Sequence, residues 1–391
     1  MDRVVVLGAG LAGARACQQL RAGGYAGELL LVGAESRPPY DRPPLSKAVL
    51  LGQAEDSALD PQLYAGAQLR LGVTGTGLEP GVLHTTAGEL RWDGLVLATG
   101  AVPRRIGSDG AGARVLRTAE DALRLRAALT PGARVVVVGA GWIGAEVATA
   151  AARHGCAVTV VEAAPAPLSV ALGAEVGAHT APWYAEAGVS LRAGEPVSGL
   201  DGAAVVLAGG EALPADVVVE GIGVRPELGW LAGSGVEVDP GSGGVAVDAG
   251  LRASLPGVVA VGDCAARYSP RTGGRVRTEH WDDALRGPEV AAASLLGGSA
   301  VYDPVPYVWS EQFGRYLQWT GWRDGPPALW RGDPDRDRAW AAGWLAPDGR
   351  LTGFLAVGRP RDAVQARRAI DAGRVPDPDR LADPAVPVRD A

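Results

Sequence analysis

Val4-Val5-Val6-Leu7-Gly8-Ala9-Gly10-Leu11-Ala12-Gly13 lies almost at the start of this chain of 391 residues, and its reading decides the fold. The run Val4 to Leu7 is continuous and mostly β-branched, as expected for a strand buried on both faces. It feeds directly into a G-x-G-x-x-G turn. Residues Ala12 to Arg21 (AGARACQQLR) then carry strong helix formers, and Gly23-Gly24 ends them. A second strand, Leu29 to Val32, leads to Glu35, which lies 22 residues beyond Gly13. Each part has a physical task. Gly8 permits the tight turn, Gly10 lets the backbone N–H groups at the helix start, beside Leu11 and Ala12, reach a pyrophosphate, and Gly13 allows close packing of helix on strand. Glu35 is placed to accept hydrogen bonds from a ribose diol. In a chain with 57 glycines the six-residue pattern alone is weak. The strand before it, the helix after it and the acid at the right distance make it strong.

The arrangement occurs twice. Arg134 to Val138 runs into Gly139-Ala140-Gly141-Trp142-Ile143-Gly144, Ala145 to Arg153 reads as helix, and Val158 to Val161 leads to Glu162, 18 residues past Gly144. Two dinucleotides are implied, and the expected class is α/β with two Rossmann-like domains. At the second strand end a carboxylate accepts the adenosine ribose 2′-OH and repels a 2′-phosphate, while Ala163 and Ala164 supply no arginine to bind one. NADH is therefore expected over NADPH, a choice that an arginine from elsewhere in the chain, such as Arg192, would reverse by reaching that place.

Composition narrows the alternatives. The net charge of -7 gives no overall basic field, which argues against nucleic acid as the main partner. Cys17, Cys156 and Cys264 form no C-x-x-C or C-x4-C pair, so neither a metal cluster nor a local redox dithiol is expected. No stretch reaches about 18 uninterrupted apolar residues, and the short apolar opening does not resemble a signal peptide; a cytoplasmic protein without membrane contact is expected. Of the 37 cationic side chains a single one, Lys47, is lysine. A compact titratable ammonium kept where every other cation is a planar guanidinium points to a chemical role.

Further stretches carry a resemblance. LVLATG (Leu95 to Gly100) and PGVVAVGDC (Pro256 to Cys264) resemble the flavoproteins with two dinucleotide-binding domains, the group that contains glutathione reductase. PPYDRPPLSK (Pro38 to Lys47), EHWDDA (Glu279 to Ala284) and YVWSEQFG (Tyr307 to Gly314) narrow it to the NADH-dependent ferredoxin reductases similar to putidaredoxin reductase. The resemblance covers nearly the whole chain. It implies FAD in the first glycine turn and NADH in the second, with Ala98, Thr99, Gly100, Gly262 and Asp263 on the flavin side and Asp263 on the ribityl chain. It places Arg42 at the FAD phosphates or adenosine, Gly223 among the cofactor contacts, and Glu279, His280 and Trp281 at a helix start that faces the flavin O2 region. Lys47 would lie beside the reactive flavin edge, Glu146 would face the nicotinamide and pair with Lys47, and Trp309 would stand against the isoalloxazine. At Asp283 the family often has asparagine, so no role is carried over to it.

The implied organisation is a discontinuous FAD-binding domain (1–105 and 225–301), an NAD-binding domain (106–224) and a C-terminal α+β domain (302–391). Within the last, Trp340 to Val357 reads as two strands about a Pro-Asp-Gly turn and Asp362 to Ala372 as helix. The Pro- and Asp-rich final ~20 residues are expected to be loosely ordered. With no cysteine pair beside Lys47, electrons that enter as hydride leave from the flavin itself, which suits a one-electron acceptor: a small [2Fe–2S] or similar ferredoxin that feeds a cytochrome P450 or ring-hydroxylating oxygenase. Arg267, Arg271, Arg275 and Arg277 are a candidate basic docking loop for it. Alternatives are an NADH oxidase or peroxidase, and a redox-dependent binding protein similar to apoptosis-inducing factor.

Overall fold

Around each glycine turn the chain builds a parallel sheet. The computed structural model describes residues 1–106, 112–202 and 204–391 and divides into two compact units. The first comprises Met1–Asp41, Asp56–Val102 and Val224–Pro304; the second comprises Arg42–Glu55, Pro103–Gly223 and Val305–Ala391.

In the first unit the strand Arg3–Leu7 is central in a five-stranded parallel sheet. Gly94–Leu97 and Glu28–Gly33 flank it, and Val258–Ala260 and Gln68–Leu71 form the edges. Val4, Val5 and Val6 are wholly buried, which is why their alternation is lost in the sequence. The helices Leu11–Ala22 and Trp281–Leu295 pack together, with Cys17, Leu20, Ala291 and Ala292 in the same core as the sheet.

The second unit repeats the pattern. Arg134–Val138 is central, between Val217–Glu220 and Ala157–Glu162, with Ser190–Ala193 and Ala113–Arg114 outside them. The helix Trp142–Arg153 buries Ala145, Ala148 and Ala151, a small-residue face that lets it lie close to the sheet. Residues beyond 305 form a five-stranded antiparallel sheet in which Leu351–Val357 is central, between Arg315–Gly321 and Trp340–Leu345, backed by the helix Pro360–Asp371. This is the α/β class with paired parallel sheets and a C-terminal α+β part that the sequence predicts.

Two allocations differ from the sequence expectation, and packing explains both. Arg42–Glu55, counted there within the first domain, belongs to the second unit, where Leu50 joins the core. The C-terminal residues form no third unit in this division: Leu317, Trp319, Trp340 and Trp344 share one core with Val135, Val137 and Trp183.

The tail is a correction. Residues Pro378–Ala382 form a short helix, Leu381 and Val388 are buried against Phe354 and Ile370, and Arg331 holds the carbonyls of Leu381 and Val386. Its polar composition suggested loose order because the cation that ties it down lies some fifty residues earlier, outside any local window.

Candidate functional site

The two glycine turns share one geometry. A Cβ on Gly8 would sit 2.0 Å from the carbonyl oxygen of Ala98, and one on Gly13 would sit 1.8 Å from that of Gly8. In the second turn a Cβ on Gly139 would lie 2.5 Å from the oxygen of Gly221, and one on Gly144 would lie 1.9 Å from that of Gly139. At the first and third glycines the protein's own backbone therefore forbids a side chain. The middle glycines behave differently. Around Gly10 nothing lies within 4 Å of the added atom, and at Gly141 the nearest atom is 4.0 Å away. Both are helix N-caps without a side-chain cap, so no side chain at the cap position covers either helix start. That is the cradle a pyrophosphate requires, and it is the test by which both turns fit a dinucleotide.

Around the first turn the structure gathers the residues of the first unit. Gly262 has φ +70° and lies against Ala12, which brings the short helical turn Gly262–Cys264, and with it Asp263, beside the helix start. Glu35 lies past the end of the second strand and accepts a hydrogen bond of 2.5 Å from the Tyr40 hydroxyl. Thr99 and Gly100 follow the strand Gly94–Leu97, with Gly100 at φ +70°. Glu279 pairs with Arg277 at 2.6 Å, His280 caps the helix Trp281–Leu295, and the Trp281 indole N–H donates to both oxygens of Asp41 at 2.9 and 3.1 Å.

In the second unit Trp142 and Ile143 open the helix after the glycine turn, Ile143 exposed. Glu162 is pinned at its strand end: one carboxylate oxygen accepts from Ala140 N–H at 2.6 Å and the other from Ala164 N–H at 2.8 Å. Arg192 is committed elsewhere, since its guanidinium bonds Glu195 at 2.7 Å and Glu211 at 2.7 Å. Arg42 donates to the carbonyl of Arg117 at 2.5 Å, and Gly223, at φ +97°, accepts from Arg104 N–H at 2.9 Å.

Lys47, Glu146 and Trp309 meet within this unit. The Lys47 ammonium lies 2.7 Å from Glu146 Oε2 and 4.7 Å from the centroid of the Trp309 ring. Glu146 is 3% exposed, so its carboxylate needs partners. Besides Lys47 it accepts 2.5 Å hydrogen bonds from Ser46 on Oε2 and from Ser310 on Oε1. Both serines lie inside the quoted signature stretches, yet nothing local in the sequence marks them, because a hydroxyl announces its role only through what packs against it.

The arginine loop needs correction. Arg267 is 2% exposed and faces Asp283 at 3.6 Å, and Arg277 is largely buried against Glu279 and the carbonyl of Ser242. Arg271 and Arg275 alone of the four are exposed. The strand Ala265–Ser269 turns Arg267 inward, where a carboxylate 16 residues later receives it.

That carboxylate is Asp283. It accepts from the Tyr302 hydroxyl at 3.0 Å, and burial pushes its pKa up from 3.8 to about 6, helped by the negative charges of Asp263 and Asp282 and opposed by Arg267 and the Tyr302 hydroxyl. The folded protein thus holds a proton that the unfolded chain has released. The stabilisation is complete below the unfolded value and is lost as pH rises through about 6. We expect the stability of the wild type relative to Asp283→Asn to fall by on the order of 2 kcal/mol between pH 4 and 7. Denaturant midpoints that run parallel for the two proteins across that range would contradict this.

Residues 2–287 match the pyridine nucleotide-disulphide oxidoreductase family, and residues 307–391 match the reductase C-terminal domain. The chain belongs to the pyridine nucleotide-disulphide oxidoreductase family. The ferredoxin–NAD(+) reductase component of the anthranilate 1,2-dioxygenase system of Burkholderia cepacia is 39% identical, with 98% of each chain covered. Among solved structures, Fdr9 superposes with a TM-score of 0.93 at 50% identity, covering 99% of both chains. The covalent putidaredoxin reductase–putidaredoxin complex gives 0.93 at 32% identity, covering 99% of this chain and 97% of the other. No helix among the described residues is long and apolar enough to cross a membrane.

Proposed function

We propose that this chain is an NADH-dependent ferredoxin reductase: it takes hydride from NADH onto FAD and passes electrons singly to a small iron–sulfur ferredoxin that supplies an oxygenase or cytochrome P450, in the cytoplasm. The observation that carries the reading is the pair of glycine turns whose middle glycines face open space, in a chain similar over nearly its whole length to reductase components of oxygenase systems. When bound, FAD supplies the exchange between two-electron and one-electron chemistry. The residues of the chain do the rest. Gly10, Leu11 and the helix start would hold the FAD pyrophosphate, Glu35 would take the ribose and Asp263 the ribityl chain. Gly141 and its helix would hold the NADH pyrophosphate, and Glu162 would take the adenosine ribose. Lys47, fixed by Glu146, would offer a localised positive charge to a bound flavin, and Trp309 gives that charge an aromatic wall.

Donor choice rests on charge. With Glu162 at the strand end and Arg192 neutralised by two carboxylates, a 2′-phosphate meets repulsion and no free partner in Arg192. Thiol routes find little support. Burial pushes the Cys17 thiol up to about 12 and raises that of Cys264, so neither is a thiolate nucleophile.

The test is anaerobic mixing of the flavin-loaded protein with NADH, then addition of a [2Fe–2S] ferredoxin with cytochrome c. Fast bleaching of the flavin, at least about tenfold slower with NADPH, followed by fast cytochrome reduction, is expected. A slow, long-lived charge-transfer complex without onward transfer would overturn the reading and favour the redox-dependent binding protein.

A further inference from the structure

The geometry points to Gln312, Ser310 and Ser46 as positioning residues that fix Glu146, and through it the Lys47 ammonium, for the redox step. This rests on the reductase reading. All three side chains are buried, at 1%, 0% and 4% exposure, and none is explained by the strand or turn that carries it.

The donor sense can be worked out. The Gln312 amide nitrogen is a donor only, so at 3.0 Å the Ser310 oxygen accepts from it. A serine has one O–H, and here it is left for Glu146 Oε1 at 2.5 Å. On the other carboxylate oxygen stand the Ser46 hydroxyl at 2.5 Å and the Lys47 ammonium at 2.7 Å. Each oxygen of Glu146 thus has its own hydroxyl. The two come from different elements, the helical turn Pro43–Ser46 and the strand Tyr307–Gln312, while Glu146 comes from the helix Trp142–Arg153.

Three elements therefore set both the position and the plane of one carboxylate. One residue beyond the strand, Phe313 N–H donates to the Thr149 hydroxyl at 3.0 Å, tying the chain to the same helix about one turn on. A carboxylate held by the ammonium alone would be free to turn about its last bond. With a hydroxyl on each side it is not, and the ammonium is kept over the Trp309 ring. Misplacing a reacting or charge-stabilising group by about an ångström costs as much as 100-fold in rate.

The single lysine makes this testable without relying on turnover. Reductive methylation of the holoprotein with 13C-formaldehyde labels Lys47 and the α-amino group alone, and the Lys47 methyl signal lies in the ring current of Trp309. In Ser310→Ala and in Ser46→Ala we expect that signal to move towards the position of free dimethyl-lysine, with or without NADH. In the unmethylated variants the limiting rate of flavin reduction should fall about tenfold, with the dissociation constant for NADH changed less than about twofold. Gln312→Met, which keeps both hydroxyls, should reproduce the change of signal in smaller measure. Variants that merely lose thermal stability, with the signal and the limiting rate of the wild type, would overturn the inference. If NADH fails to bleach the wild-type flavin, it is the reductase reading that falls, and the Lys47 signal alone decides whether the serines position the ammonium.

Discussion

Lys47→Ala slows reduction of the flavin by NADH about 100-fold, and Lys47→Arg restores less than a tenth of the lost rate. The first figure follows from removing the charge; the second follows from the geometry around it. The ammonium is a point donor, 2.7 Å from Glu146 Oε2 and 3.4 Å from the carbonyl of Pro43, with the Trp309 ring on another side. A guanidinium is planar and bonds a carboxylate best through both oxygens at once. Glu146 does not offer both, because Ser310 already occupies Oε1 and Ser46 shares Oε2. An arginine at position 47 must therefore displace a buried hydroxyl or carry its charge away from the ring. Stopped-flow measurement of the limiting rate and of NADH binding checks this. An arginine variant as fast as the wild type would mean that charge alone, and not its placement, matters here. The outcome also bears on why a chain with 37 cationic residues keeps one lysine.

What could be read in the sequence was what depends on neighbours along the chain. The valine runs, the glycines at fixed offsets and the small-residue helices are local features, and Arg3–Leu7, Arg134–Val138 and their helices lie within a few residues of where the pattern puts them. Lys47 stood out by its rarity, and its pairing with Glu146 came from the resemblance of the surrounding stretches. Ser46 and Ser310 stayed hidden although they lie in those same stretches. A hydroxyl carries no periodicity or charge signal, and its partner here is 100 or more residues away. Arg267 failed for the opposite reason. Its charge suggested solvent, and what makes an inward arginine tolerable is Asp283, the Tyr302 ring 5.4 Å from the guanidinium carbon, the Thr278 hydroxyl and the carbonyl of Pro304.

The same lesson, applied to the C-terminal tail, yields the largest stability effect. Arg331 is 1% exposed and spends its donors on Asp362 at 2.8 Å and on the carbonyls of Leu381, Asp383, Pro384 and Val386. One guanidinium thus organises six residues of tail that have little regular structure of their own. In Arg331→Met the carbonyls of Leu381 and Val386 lose the guanidinium, while the carbonyl of Asp383 keeps the Val386 N–H at 3.1 Å, that of Pro384 keeps Arg359 at 3.1 Å and Asp362 keeps Arg359 at 2.5 Å, so the cost falls mainly on the tail. Leu381 and Val388, now buried, would leave the core with it, and each contributes roughly 1.5–3 kcal/mol. A loss of about 3–5 kcal/mol is expected, read as a lower denaturant midpoint together with rapid proteolysis between residues 375 and 391. Flavin content should be unchanged, since none of the proposed FAD ligands lies in this part of the chain. A variant whose tail resists protease at wild-type concentration, with an unchanged midpoint, would show that the apolar contacts of Leu381 and Val388 suffice. In that case the buried cation would specify where the tail docks without adding to how firmly it is held.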